Sequence, residues 1–128
     1  MLNYGIFEGK YLNDCQNEFP EEWFLTSQHK RSVKSNSKIN YFKIKSRLSL
    51  SHWQEKKWIL GDDPRGWFQW YCRYYLGRRT NYDVKQIIRW KSFKRHVGQI
   101  KSNCQKGDFS CRPKQRQALL QWAYNPFI

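Results

Sequence analysis

The longest periodic stretch lies between Asn81 and Asn103, where Val84, Ile87, Ile88, Trp90, Phe93, Val97 and Ile100 recur mostly at steps of three and four. A repeat near 3.6 residues gathers them on one side of a helix. Thr80-Asn81-Tyr82-Asp83 before it fits a capping box, a hydroxyl and a carboxylate three positions apart. The run Gly66–Leu76 is apolar around most of a helical circumference, the mark of a buried central element. Asp62-Asp63-Pro64 supplies its start and Gly77 its end. Leu48–Leu60 predicts another helix, capped by Ser49 or Ser51 and stopped at Gly61. Pro20-Glu21-Glu22 opens a short one at Phe19–Phe24, and Pro113–Tyr124 forms the last, with Ser110 as cap and Asn125-Pro126 as stop. Only Asn40–Lys45 has the residues of a strand. The expected fold is all-α, a single domain of four or five helices around an aromatic-rich central helix.

Composition changes this picture through its aromatics and its charge. Seven Trp, eight Tyr and eight Phe in 128 residues supply a core despite a mean hydropathy of −0.95. The formal net charge is +14, from 24 Lys and Arg against 10 Asp and Glu. It is unevenly spread: residues 1–28 hold one base and five acids, whereas residues 29–128 hold 23 bases and five acids. Three segments follow: an acidic N-terminal arm over 1–28, a basic and Ser/Asn-rich exposed loop over 29–40, and a basic helical body over 41–128. An excess of this size favours a polyanionic partner, nucleic acid first. No apolar run of 18 residues is present, so a membrane is the weaker partner. The acidic arm is a candidate protein-docking element.

The basic residues offered as nucleic-acid contacts are Arg65, Arg73, Arg78 and Arg79 around the aromatic helix, Lys85, Arg89, Lys91, Lys94, Arg95 and Lys101 along the long helix, and Arg112, Lys114 and Arg116 on the last. No acid follows Asp83 on the long helix, so its polar face carries a single sign, whereas an ordinary solvated face mixes signs. Tyr74 and Tyr75 are placed at the rim of the aromatic helix as base-stacking candidates, with its Trp residues buried. Gln115, Gln117 and Gln121 are either base-edge readers or ordinary surface residues.

Cys15, Cys72, Cys104 and Cys111 lack the close pairing of zinc ligands. They read chiefly as idle thiols, with a 104–111 disulfide and a four-thiolate metal site as the other readings. His29, His52 and His96 have no motif partners, and the chain shows no phosphate-cradling glycine loop, zinc-protease motif or nucleophile elbow. No catalytic residue and no cofactor is assigned. The N-terminus lacks a secretory pattern, so an intracellular setting (cytoplasm, nucleoid or organelle) is expected.

The blocks FEGKYLNDC (Phe7–Cys15), DDPRGWFQWYCRYYLGRR (Asp62–Arg79) and CRPKQRQALLQWAY (Cys111–Tyr124) resemble an uncharacterised conserved protein family of bacteria, plants and fungi. The resemblance spans nearly the whole chain and implies one natural domain. It carries no activity. The expectations are therefore a nucleic-acid-binding module with sequence-tolerant phosphate contacts, a structural subunit of a ribonucleoprotein or other assembly, or, last, a nucleic-acid-processing enzyme.

Overall fold

A computed structural model describes residues 1–25 and 30–128. The described residues are all helical or irregular, without a strand. The α-helices are α1 (Glu22–Leu25), α2 (Leu50–Glu55), α3 (Trp67–Tyr75), α4 (Asp83–Ser92), α5 (Lys94–Asn103) and α6 (Pro113–Gln121). Since α1 is one turn, five longer helices carry the fold, and single turns of 3-10 helix punctuate the first 40 residues. The chain forms two compact units: Met1–Arg47 with Phe93–Ile128, and Leu48–Ser92. These cut the sequence differently from the arm, loop and body read from composition.

In the first unit α6 acts as a clamp. Gln117 and Gln121, buried on its inner side, bond main-chain groups far away in sequence. Gln117 donates to the Gly5 carbonyl at 3.1 Å and accepts from the Phe42 amide at 3.2 Å. Gln121 accepts from the Phe7 amide at 3.1 Å and donates to the Ser46 carbonyl at 2.7 Å. They are neither base readers nor surface residues. Gly5 meets this layer at φ 78°, where a Cβ would fall 2.0 Å from the Ile39 carbonyl oxygen.

The strand expected over Asn40–Lys45 is a folded loop. Buried Asn40 accepts from the Glu8 amide at 2.8 Å and donates to the Ile44 carbonyl at 2.7 Å, and Lys43 turns the chain at φ 56°. Residues 30–40 pack onto the arm, with the Ser32 amide on the Gly9 carbonyl and the Asn36 amide on the Glu8 carbonyl. His29 lies outside the described residues. Glu8, itself buried, takes the Ser35 hydroxyl and lies 3.5 Å from the Arg47 guanidinium.

In the second unit Ser49 caps α2 as expected, accepting the His52 amide at 3.2 Å. The helix ends at Glu55, and Lys57, left-handed at φ 56°, turns the chain before Gly61 is reached. Helix α3 begins after Gly66 at φ 87° rather than at Asp63. Its Trp67 and Trp70 are buried and Tyr75 is 73% exposed, the expected division. Thr80 and Asp83 make half of the expected box: Asp83 takes the Thr80 amide at 2.9 Å and hydroxyl at 3.2 Å, and the Trp70 indole at 2.8 Å, while the Thr80 hydroxyl oxygen accepts from the Tyr82 amide at 3.2 Å rather than from that of Asp83.

Two helix expectations need correction. The helix drawn over 81–103 is interrupted at Phe93, where α4 ends and α5 begins. The apolar stripe of α4 is also misplaced: Val84 and Ile88 are exposed, while Asp83 and Gln86 are buried. The Trp70 and Thr80 bonds hold Asp83 inward and so set the rotation of α4 against its hydrophobic pattern. Helix α6 starts after left-handed Arg112 with Pro113 in its first turn, while Ser110 bonds Asp108 instead of capping.

Candidate nucleic-acid interface

The bases around α3 are largely committed within their own unit. Buried Asp63 accepts two bonds from Arg78, at 2.6 and 2.7 Å, and one from Arg73 at 2.9 Å. Arg73 also donates to the Asp62 carbonyl at 2.7 Å. The hydrogen bond to Asp63 lifts the Arg78 guanidinium further above its ordinary value. Arg79 lies 3.7 Å over the Tyr74 ring and donates to the Tyr74 and Arg78 carbonyls. Arg73 and Arg78 are thus corrected from phosphate contacts to members of an intramolecular ion cluster, because a fork-shaped carboxylate partner sits between them.

On α4, Lys85 and Lys91 are exposed and make no ion pair among the described residues. Arg89 is half-buried and donates to the Trp58 carbonyl at 2.8 Å, and burial lowers its pKa. Arg65 is exposed.

In the other unit, α5 and α6 lie together, joined by the link Cys104–Cys111. These two cysteines form a disulfide, correcting the reading of idle thiols. Cys15 and Cys72 are not disulfide-bonded, and among the described residues no three His, Cys, Asp or Glu side chains gather as a metal site would need.

Arg116 is the largest correction. It is fully buried and donates to the main-chain oxygens of Cys111 (2.7 Å), Pro126 (2.6 Å), Ile128 (3.0 Å) and Asp108 (2.9 Å). It holds the α5–α6 link and the C-terminal residues to α6 and has no face for a phosphate.

The remaining bases of this unit stay outside. Ile100 turns α5 inward, and Lys94, Arg95 and Lys101 are exposed on its other side. Lys94, Gly98 and Lys101 fall at i, i+4 and i+7, along one strip of the helix. Exposed Arg112 and Lys114 stand at the start of α6, Arg112 donating to Gln115 at 2.9 Å. From Val84 onward the sequence has a single acid, Asp108. Its carboxylate accepts from the Ser110 hydroxyl at 2.6 Å and amide at 3.1 Å, bonds that pull its pKa down.

Gly98 sits within this strip, and a Cβ there would meet nothing within 4 Å. Its conformation is ordinary helix, so neither packing nor backbone angle calls for glycine. Gly98→Ala is expected to stabilise the fold by about 0.5–1 kcal/mol, read as a higher thermal midpoint.

His96 lies where α5 meets α6, its Nδ1 3.1 Å from the Gln115 amide nitrogen, which also bonds the Gln99 oxygen. The amide donates, so Nδ1 is the acceptor of a neutral ring. Burial first, then the Arg95 charge, lower its pKa below the ordinary 6.5, outweighing the Gln99 hydrogen bond. Below 6.5 the unfolded chain therefore binds more protons than the folded one, and stability falls as pH drops through that window to the lowered folded value. Urea midpoints taken at neutral and mildly acidic pH should show this loss in the wild type and a smaller one in His96→Gln.

No helix among the described residues is long and apolar enough to cross a membrane. Compared with protein-family models, curated proteins and solved structures, the chain matches none.

Proposed function

We propose that this protein binds nucleic acid through its sugar–phosphate backbone, with Lys94, Arg95, Lys101, Arg112 and Lys114 as the phosphate contacts of one surface. The observation that supports this most is the single sign of the exposed α5–α6 residues, whose only acidic neighbour in the sequence, Asp108, is turned to Ser110. Such a surface repels itself and gains free energy by releasing the counterions condensed on a polyanion. Open Gly98 lets a phosphate strand approach the helix between Lys94 and Lys101. Lys85 and Lys91 of the second unit are further contacts. The contacts are assigned to phosphates, which carry no sequence information, so binding is expected to tolerate sequence. A nucleic-acid partner is consistent with the cytoplasm, nucleoid or an organelle, and the Cys104–Cys111 disulfide favours an oxidising one of these.

Fluorescence anisotropy with labelled DNA and RNA at several salt concentrations tests this. The logarithm of the association constant should fall linearly with the logarithm of salt, by about 0.9 per duplex phosphate contacted. No binding at low salt, or binding indifferent to salt, would sink the reading.

A further inference from the structure

We infer that the ring cluster of Tyr4, Tyr41, Phe42, Phe109 and Phe127 is a stacking platform for unpaired bases, which makes single-stranded nucleic acid the favoured ligand. This rests on the nucleic-acid reading above and deepens it. Tyr41 stands at the centre, its ring 5.5 Å from Tyr4, 4.9 Å from Phe42 and 5.2 Å from Phe127. Phe127 reaches Tyr4 at 5.4 Å and Phe109 at 5.5 Å, so five rings are contiguous.

Core rings such as Phe24, Trp67 and Trp70 are buried. Here Tyr4, Tyr41 and Phe109 remain 46, 43 and 42% exposed, gathered in one edge-to-face cluster rather than scattered, with ring planes 79° apart at Tyr4–Tyr41, 82° at Tyr41–Phe127 and 76° at Phe109–Phe127. The platform is also held rigid from beneath. The Tyr41 amide donates to the Gly5 carbonyl, the Phe42 amide to buried Gln117, and the buried Arg116 guanidinium lies 5.5 Å over the Phe109 ring. A preformed aromatic surface binds without first ordering its side chains.

The surrounding charge selects the occupant. Residues 36–47 carry Lys38, Lys43, Lys45 and Arg47 and no acid. Arg47 faces Glu8, while all three lysines are exposed, and Lys43 folds back to donate to the Lys38 carbonyl at 2.7 Å. A second copy meeting this patch face to face would set these lysines against their own kind. A single strand satisfies both features, with bases on the rings and phosphates on the ammonium groups. A duplex keeps its bases stacked on one another and can use only the charge.

The full chain is titrated with labelled oligothymidylate and with a duplex of equal length. Wild type should prefer the single strand. Tyr41→Ala and Tyr4→Ala should each weaken oligothymidylate binding by roughly 5- to 150-fold, leaving duplex binding and the salt slope unchanged. Tyr41→Trp, which keeps a ring, should retain binding and covers the case in which Tyr41→Ala does not fold. If wild type binds both forms and the ring variants lose nothing, or lose both forms equally, the stacking platform is overturned while the phosphate reading stands. Binding to neither form overturns both. A dimer in light scattering that Tyr41→Ala disperses would assign the rings to self-association and also overturn the inference.

Discussion

Arg116→Ala is expected to cost about 3 kcal/mol or more of stability, a large effect for a single residue. The guanidinium is buried, and its donors end on four main-chain oxygens drawn from the α5–α6 link and the C-terminal residues. Truncation leaves those acceptors unmade, at about 1–3 kcal/mol for each one that water cannot reach. It also removes the cation lying over the Phe109 ring. Burial lowers the pKa of this arginine, yet a guanidinium stays charged throughout the physiological range, so no relief comes from deprotonation. Arg116→Lys should recover only a fraction, since an ammonium cannot span four diverging oxygens from one point. Urea unfolding gives the measure: the midpoint should fall with an unchanged slope. A loss under about 1 kcal/mol would mean that the side chain works as a surface base.

That result bears on what a sequence can disclose. Helix α3, the Ser49 cap, the Thr80–Asp83 pairing and the burial of Trp67 and Trp70 all follow from local chemistry: caps are neighbours in sequence, and bulky rings leave water. Arg116, Gln117 and Gln121 were not legible, because their partners are main-chain groups distant along the chain. A hydrophobic pattern scores such residues as surface, yet here they are the buried face of α6. Helix α4 failed for the same reason, since Asp83 and Gln86 occupy the interior that Val84 and Ile88 were expected to fill. Arg73 and Arg78 looked like free cations until folding brought Asp63 to them from more than one helical turn away. The candidate surface was legible where its logic is local, as on α5, where charge and apolar residues separate by simple helical spacing. The exposed rings were not, because Tyr4, Tyr41, Phe109 and Phe127 meet only in the fold.

The replacement of Lys94, Arg95 and Lys101 together by Ala should reduce nucleic-acid affinity by roughly several hundredfold at about 0.1 M salt. Each lost phosphate contact removes about 0.9 from the slope of log affinity on log salt, and at that salt about as much from log affinity itself. Three contacts amount to a slope change of about 2.7 on duplex DNA, and about 2.1 on single strands. The fold should tolerate the change, since all three side chains are exposed and none is in an ion pair among the described residues. Alanine also improves helix propensity slightly over its neighbours' demands, so the thermal midpoint should hold or rise. The control is the surface where the arginines are already committed. Arg78→Ala breaks the bond to Asp63 and should lower stability, while leaving the salt slope where it was. If instead the α5 triple variant keeps its slope and Arg78→Ala loses one, the interface lies on the other unit. Equal slopes for all three proteins would leave these bases without a phosphate partner, and the single-signed face of α5 would then have to be explained by something other than nucleic acid.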